Sequence, residues 1–297
     1  MPAAKGPTLS AAKPVVGVIG LGSLGDGMAR SVLAAGLPLV VCDVRPEATE
    51  SYRDEADVAE SAADVARRAD AVIVAVVDDE QVHAVLSGPE GGLAVAGPET
   101  VFVVVSTIST ECVEAIGAEA SAAGVAIVDC GVSGGPAAAA SGDLVCMVGG
   151  DAETVERARP VLETIGSLTL TMGPFGAGLT AKLARNLVQY GSWLAAYEGQ
   201  VLAEAAGIEL SKLAEAIRVS DTHIGGSSRL MFRTTVAPLG DEDPEFVVDA
   251  MRAGSLLAHK DLRAALELAR RLDVDLPLAA MTEARADEVF GLAPRAT

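Results

Sequence analysis

Val15-Val16-Gly17-Val18-Ile19-Gly20-Leu21-Gly22-Ser23-Leu24-Gly25 is an apolar, β-rich run that passes directly into a GxGxxG turn. A helical stretch to Gly36 follows, then a second apolar run over 39–42 that ends in Asp43, 18 positions after Gly25. Each glycine in such a strand–turn–helix has its own task. Gly20 makes the tight turn, Gly22 lets the backbone approach a pyrophosphate, and Gly25 permits close helix–sheet packing. The helix N-terminus then offers free N–H groups and partial positive charge to phosphates. The spacing predicts a bound dinucleotide, with Gly20, Leu21, Gly22, Ser23, Leu24 and Gly25 forming the phosphate loop and Asp43, Val44 and Arg45 closing it. Asp43 favours NAD, because its carboxylate accepts from the ribose hydroxyls and repels a 2′-phosphate. Arg45 is either a holder of that phosphate, which would admit NADP, or a solvated loop charge.

Working outward, the pattern over 15–172 alternates short apolar strands with Ala/Glu/Arg-rich helical stretches. Strands are expected at 15–19, 39–42, 71–76, 101–105, 126–129 and 144–148. Continuous apolar strands divided by helices indicate a parallel sheet covered on both faces, an α/β doubly wound architecture. After Gly173 the strand signal stops, and helices are expected over 178–207, 210–219, 252–272 and 278–290. Gly173-Pro174 reads as a helix start and sets the domain boundary. The organisation is a disordered lead-in over 1–13, a Rossmann-like dinucleotide-binding domain over 14–173, and an all-helical substrate and dimerisation domain over 174–297. The first helix, about 45 Å long at helical rise, opens the second domain. A helix in that place often carries the dimer contact, so a homodimer or homotetramer is expected.

The formal net charge of −19 argues against nucleic acid and anionic membranes, both of which need a basic face. No apolar run is long enough to span a bilayer, and the first residues lack a signal-peptide core, so a cytoplasmic protein is expected. Cys42, Cys112, Cys130 and Cys146 lack CxxC or CxxH spacing and read as free thiols in a reducing compartment. With three dispersed histidines, they offer no metal cluster.

Lys182 lies in Gly176-Ala-Gly-Leu-Thr-Ala-Lys182-Leu-Ala-Arg-Asn186 and is one of five lysines in a chain that otherwise uses arginine. An ammonium can be tuned towards neutral pH and a guanidinium cannot. Asn186, four residues on, shares its helical face. The segment fits either a general acid/base with a hydrogen-bonding partner or a surface lysine on an amphipathic helix. Asp129-Cys-Gly-Val-Ser133-Gly134-Gly135-Pro136 follows a strand, where open α/β sheets bind ligands. Its glycine N–H groups can nest a carboxylate with the Ser133 hydroxyl, or simply make a turn. Tyr190, Trp193 and Tyr197 form one helical stripe that packs a domain core or a dimer seam in preference to lining a substrate pocket. His223 and His259 are ambiguous: His259 precedes Lys260 and is either a site neighbour or, the preferred reading, structural.

Together these runs resemble the β-hydroxyacid dehydrogenases, the 3-hydroxyisobutyrate dehydrogenase and tartronate semialdehyde reductase type. The resemblance covers almost the whole chain after residue 14. It is carried by GLGSLG at 20–25, Ser106-Thr107-Ile108-Ser109, DCGVSGGP at 129–136, GPFGAGLTAKLARN at 173–186 and His259-Lys260-Asp261-Leu262. It implies reversible hydride transfer between a nicotinamide and a small 3-hydroxy acid, with Lys182 as catalytic acid/base and Asn186 orienting the substrate. It also implies that Ser133, Gly134 and Gly135 hold the substrate carboxylate. Thr107, Val76, Val77 and Gln81 would line the nicotinamide side, and Lys260 would reach the cofactor from the helical domain. Two departures stand out: Val76-Val77-Asp78-Asp79 lacks the common Leu-Pro, and Arg185 stands where a second asparagine is common. The competing readings are an imine reductase, which usually carries aspartate or tyrosine at the Lys182 position, and a catalytically silent NAD-binding protein.

Overall fold

The computed structural model describes residues 13–232 and 235–292. The lead-in expected over 1–13 lies outside them but for Lys13, whose Nζ donates to the Gly36 carbonyl oxygen at 2.9 Å. Arg233 and the last five residues lie outside them too. By Cα proximity the chain divides into two units, 1–185 and 186–297.

The first unit is built on an eight-stranded sheet of order β3-β2-β1-β4-β5-β6-β7-β8. In chain order its strands are β1 (Val16–Ile19), β2 (Leu39–Cys42), β3 (Asp57–Val58), β4 (Ala71–Val74), β5 (Val101–Val104), β6 (Ala126–Ser133), β7 (Leu144–Gly149) and β8 (Gly166–Gly173). Strands β1 to β6 pair in parallel. Their unbroken apolar character follows from burial on both faces. Val16, Val18, Val41, Ile73 and Val103 enter one core cluster, and their neighbours Ile19, Val40, Val72, Val74, Phe102 and Val104 the other. The first face is covered by α1 (Ser23–Ala34), α6 (Gly135–Ser141) and α7 (Ala152–Ile165), the second by α3 (Ala62–Arg68), α4 (Asp79–Ser87) and α5 (Thr110–Ala123). The short α2 (Pro46–Glu50) follows β2. Ser61, Asp78, Ser109 and Asp151 cap four of these helices through side-chain oxygens that accept from the N–H three residues on.

Three expectations are corrected. The sheet is not wholly parallel, because β7 runs antiparallel to β6. Both strands are buried apolar runs, and such runs carry no signal of direction. Strands β3 and β8 were not expected, although Leu168, Leu170 and Met172 alternate along β8, their outward faces between 38% and 46% exposed. Strand bounds also moved: β4 ends at Val74 and leaves Val76 in the following loop, while β6 runs on to Ser133.

The helices of the remainder are α8 (Ala177–Ala205), α9 (Leu210–Ile224), α10 (Glu245–Arg271), α11 (Pro277–Ala284) and α12 (Ala286–Val289). The single helix expected over 278–290 is two, broken at Arg285. Helix α8 has 29 residues and passes through the division between units. Inside the second unit the buried Glu198 carboxylate accepts from the Leu278 and Ala279 N–H groups at 2.7 and 2.9 Å, capping α11 with a charge at its positive end. His259 Nδ1 lies 2.9 Å from Glu283 Oε1 and its Nε2 3.4 Å from Asp287 Oδ1, contacts that support a structural part for it. His223 is exposed. Tyr190 and Trp193 meet edge to face at 5.3 Å, but both are 59% exposed and Tyr197 is 63% exposed, so the stripe does not pack a core.

Removing the Glu198 carboxylate leaves two N–H groups without their acceptor. Glu198→Ala should lower unfolding stability by about 2 kcal/mol, checked by urea denaturation with an unchanged m-value.

Candidate active site

The parallel strands end in register, Ile19 beside Cys42 and Val74, and Val74 beside Val104. Their carboxyl ends therefore put Gly20, Asp43, Val76 and Thr107 along one edge. There the Asp43 carboxylate accepts the Leu21 N–H at 2.6 Å, so the second strand clamps the glycine loop directly. A Cβ built at Gly25 would overlap the Gly20 carbonyl oxygen, which is the close approach the motif requires. A Cβ at Gly22 would meet nothing within 4 Å, and α1 begins there with no side-chain cap. An open cradle at an uncapped helix N-terminus fits a pyrophosphate. Val44 and Val77 stand 97% and 78% exposed on the same edge, apolar surface suited to flat aromatic rings.

Arg45 is not a loose loop charge. Its guanidinium bonds Asp43 through Nε and Nη2 at 3.0 and 3.1 Å, and Nη2 also reaches the Leu21 carbonyl oxygen at 3.2 Å. Burial alone would push Asp43 up, but these bonds from Arg45 and the N–H groups of Leu21 and Arg45 hold it below the usual carboxylate range. Further along the edge, Ser106 Oγ accepts from the Val76 N–H at 3.0 Å, and Gln81 Oε1 accepts from the Val77 N–H at 3.2 Å. Gln81 thus folds back onto its own loop. Ser106, quoted in a motif without a role, proves to be the pin that shapes the loop. Thr107 beside it is exposed.

Beyond its pairing with β5, β6 continues along β7 to Ser133 and delivers the Ser133-Gly134-Gly135 turn. Gly134 and Gly135 have φ values of 136° and 74°, conformations that favour glycine, and a Cβ at Gly135 would face open space. Lys182 approaches this turn from α8. Its Nζ donates to the carbonyl oxygen of Val132, one residue before Ser133. The approach is backbone on backbone: a Cβ at Gly131 would come 2.5 Å from Lys182 Cβ and 2.6 Å from the Gly178 carbonyl oxygen. Burial, and after it the Arg185 guanidinium, depress the Lys182 ammonium below the ordinary lysine value. The structure therefore joins Lys182 to the SGG turn. Asn186 stands half-buried one helical turn further along α8. Lys260, on α10 in the second unit, is 70% exposed and pairs with Asp261 at 3.2 Å.

The sequence reading assigned no role to Asp129, yet its carboxylate accepts the Gly176 and Leu179 N–H groups at the root of α8, each at 2.6 Å. Its signal was an acid closing an otherwise apolar strand, and this became meaningful only once α8 was placed.

Residues 15–173 match the family model described as the NAD binding domain of 6-phosphogluconate dehydrogenase. Residues 176–290 match that described as NAD-binding of NADP-dependent 3-hydroxyisobutyrate dehydrogenase. An uncharacterized oxidoreductase of Mycobacterium tuberculosis (strain ATCC 25618 / H37Rv) is 40% identical over 267 residues, 90% of each chain. The L-threonate dehydrogenase of Cupriavidus necator is 35% identical over 269 residues, 89% of this chain and 86% of that one. A crystal structure from Mycobacterium avium 104 superposes with a TM-score of 0.85 at 36% identity, covering 93% of this chain and 98% of the other.

Since the Arg185 charge opposes the Lys182 ammonium, neutralising it should raise the pH at which Lys182 loses its proton. In Arg185→Gln, NMR of 15N-labelled lysine should show the Lys182 titration moved to higher pH than in the wild type. An unmoved titration would remove Arg185 from the site's electrostatics.

Proposed function

The chain belongs to the β-hydroxyacid dehydrogenase family, and we propose that it interconverts a small 3-hydroxy acid and its semialdehyde or keto form with a nicotinamide cofactor. The observation that carries this is the placement of a half-buried, pKa-depressed Lys182 amine one residue from the Ser133-Gly134-Gly135 turn. The bound nicotinamide supplies the hydride acceptor or donor. Everything else is the work of side chains and backbone. The turn's N–H groups and the Ser133 hydroxyl hold the substrate carboxylate. Lys182, when neutral, takes the hydroxyl proton in oxidation and as ammonium returns it in reduction. Its lowered pKa keeps a larger neutral fraction than an exposed lysine would have. Asn186 orients the hydroxyl. Gly20 to Gly25 hold the pyrophosphate, while Val76, Val77, Gln81 and Thr107 line the nicotinamide side.

We assign NAD as the preferred cofactor, with NADP admitted. Asp43, at the end of β2 where the fingerprint expects the ribose-binding acid, supports NAD, and Arg45, bonded to that carboxylate, is the cation that would admit a 2′-phosphate. The division into domains at Gly173-Pro174 accords with the two matched regions, 15–173 and 176–290. A homodimer or homotetramer is supported by the apolar side chains that the helices leave open, among them Leu187 at 75%, Phe246 at 76% and Trp193 at 59% exposure. Among the described residues no helix is long and apolar enough to cross a membrane. The free thiols of Cys42, Cys112, Cys130 and Cys146 support a reducing, cytoplasmic setting.

Two outcomes test the proposal. Lys182→Ala should lose about 10²- to 10⁴-fold in turnover with NAD and a panel of short 3-hydroxy acids, the range for a lost general acid/base. NAD affinity by calorimetry should hold within about twofold, because the residue stands at the substrate turn; comparable loss of both would remove Lys182 from catalysis. Arg45→Ala should widen the preference for NAD over NADP by about tenfold, the worth of one charge-assisted hydrogen bond.

A further inference from the structure

Asp129 has no part in the chemistry above, yet among the described residues it is the only charged side chain with 0% exposure. Burying a carboxylate is unfavourable unless its oxygens are hydrogen-bonded. Here Oδ1 takes the Gly176 N–H and Oδ2 the Leu179 N–H. These are N–H groups that a helix start leaves without partners. The joint has no slack. A Cβ at Gly149 would overlap Asp129 Oδ1 and come 2.7 Å from the Pro174 carbonyl oxygen and 2.9 Å from the Ala177 nitrogen. A Cβ at Gly178 would come 2.8 Å from the Asp129 carbonyl oxygen.

The spacing from this joint to the amine is the same on both sides. Three residues after Leu179 comes Lys182, and three residues after Asp129 comes Val132, whose carbonyl receives the Lys182 ammonium. We infer that Asp129 is a positioning residue for Lys182, setting the depth and rotation of α8 on β6 at which the amine meets the Ser133-Gly134-Gly135 turn. The inference rests on the acid/base reading of Lys182. It assigns the buried carboxylate a task that packing alone would leave to an apolar residue: two N–H groups must be accepted at fixed angles, and an amide offers only one oxygen for them.

Asp129→Asn is near-isosteric and turns one acceptor into a donor facing an N–H. With the first turn of α8 loosened, the Gly176 and Leu179 amides should exchange with solvent about tenfold faster or more, read by NMR. Turnover should fall roughly 10- to 100-fold, the scale of a small misplacement at a reacting group, while NAD affinity stays within twofold. The pH limb of the oxidation rate should move up towards the ordinary lysine value, because burial is the main cause of its depression and the amine becomes more exposed.

Faster amides with turnover per folded molecule and the pH limb both unchanged would make Asp129 a helix cap and nothing more. If Asp129→Asn does not fold, Gly149→Ala decides the matter. It crowds the same carboxylate while keeping its charge, so it should displace the limb in the same direction, and an unmoved limb overturns the inference. Lys182→Ala measured alongside separates the two levels. If that variant keeps its turnover, the acid/base reading falls. If it is inactive beside an unperturbed Asp129→Asn, the positioning role alone falls.

Discussion

Backbone packs on backbone where the first turn of α8 crosses β6 and β7, and the lysine side of the candidate site hangs from that contact. Side chains ordinarily hold a helix 8–10 Å from its neighbour. At Gly131, Gly149 and Gly178 they are absent, so the carbonyl of Gly178, the Lys182 Cβ and the strand backbones come within touching distance. Such proximity brings N–H groups and a carboxylate into a space without water, which is why Asp129 titrates high even though it accepts from Leu179 and Gly176. The same proximity half-buries the Lys182 amine and pushes it the other way. One geometric condition thus tunes an acid up and a base down.

Much of the fold was readable because its determinants are local. The glycine loop, the strand before it and the acid after the next strand lie within 30 residues and act on each other, as the Leu21–Asp43 bond shows. Caps such as Ser109 and Asp151 are written beside the helices they start. What the residues concealed was pairing. The direction of β7, the edge strand β8 and the break at Arg285 depend on partners distant in sequence, and a buried apolar run looks alike in either direction. The chemistry divided in the same way. Lys182 and the SGG turn were open candidates by residue type and order and took roles only from the family resemblance, whereas Asp129 and Ser106 act on backbone N–H groups that only the folded chain brings to them.

Charge gives a second reason why the site is built from backbone donors. The chain carries a formal net charge of −19, so a dinucleotide or a carboxylate approaches against the field of the whole molecule. At physiological salt that field is screened beyond about 8 Å. In the proposed reading, recognition then falls to groups effective at contact: the open N-terminus of α1, the turn at Gly134 and Gly135, and a few cations. Two of those cations are managed by neighbours, Arg45 by Asp43 and Lys182 by burial beside Arg185.

The contacts also differ in how much chain must exist before they can form. The Leu21–Asp43 clamp joins residues 22 apart, whereas the Asp129–Leu179 and Lys182–Val132 bonds each span 50. Synthesis proceeds at about 5–20 residues per second, N-terminus first. The glycine loop therefore has its clamp seconds before the lysine's strand has its helix. The residues proposed to hold a dinucleotide are thus synthesised well before the lysine proposed to move a proton.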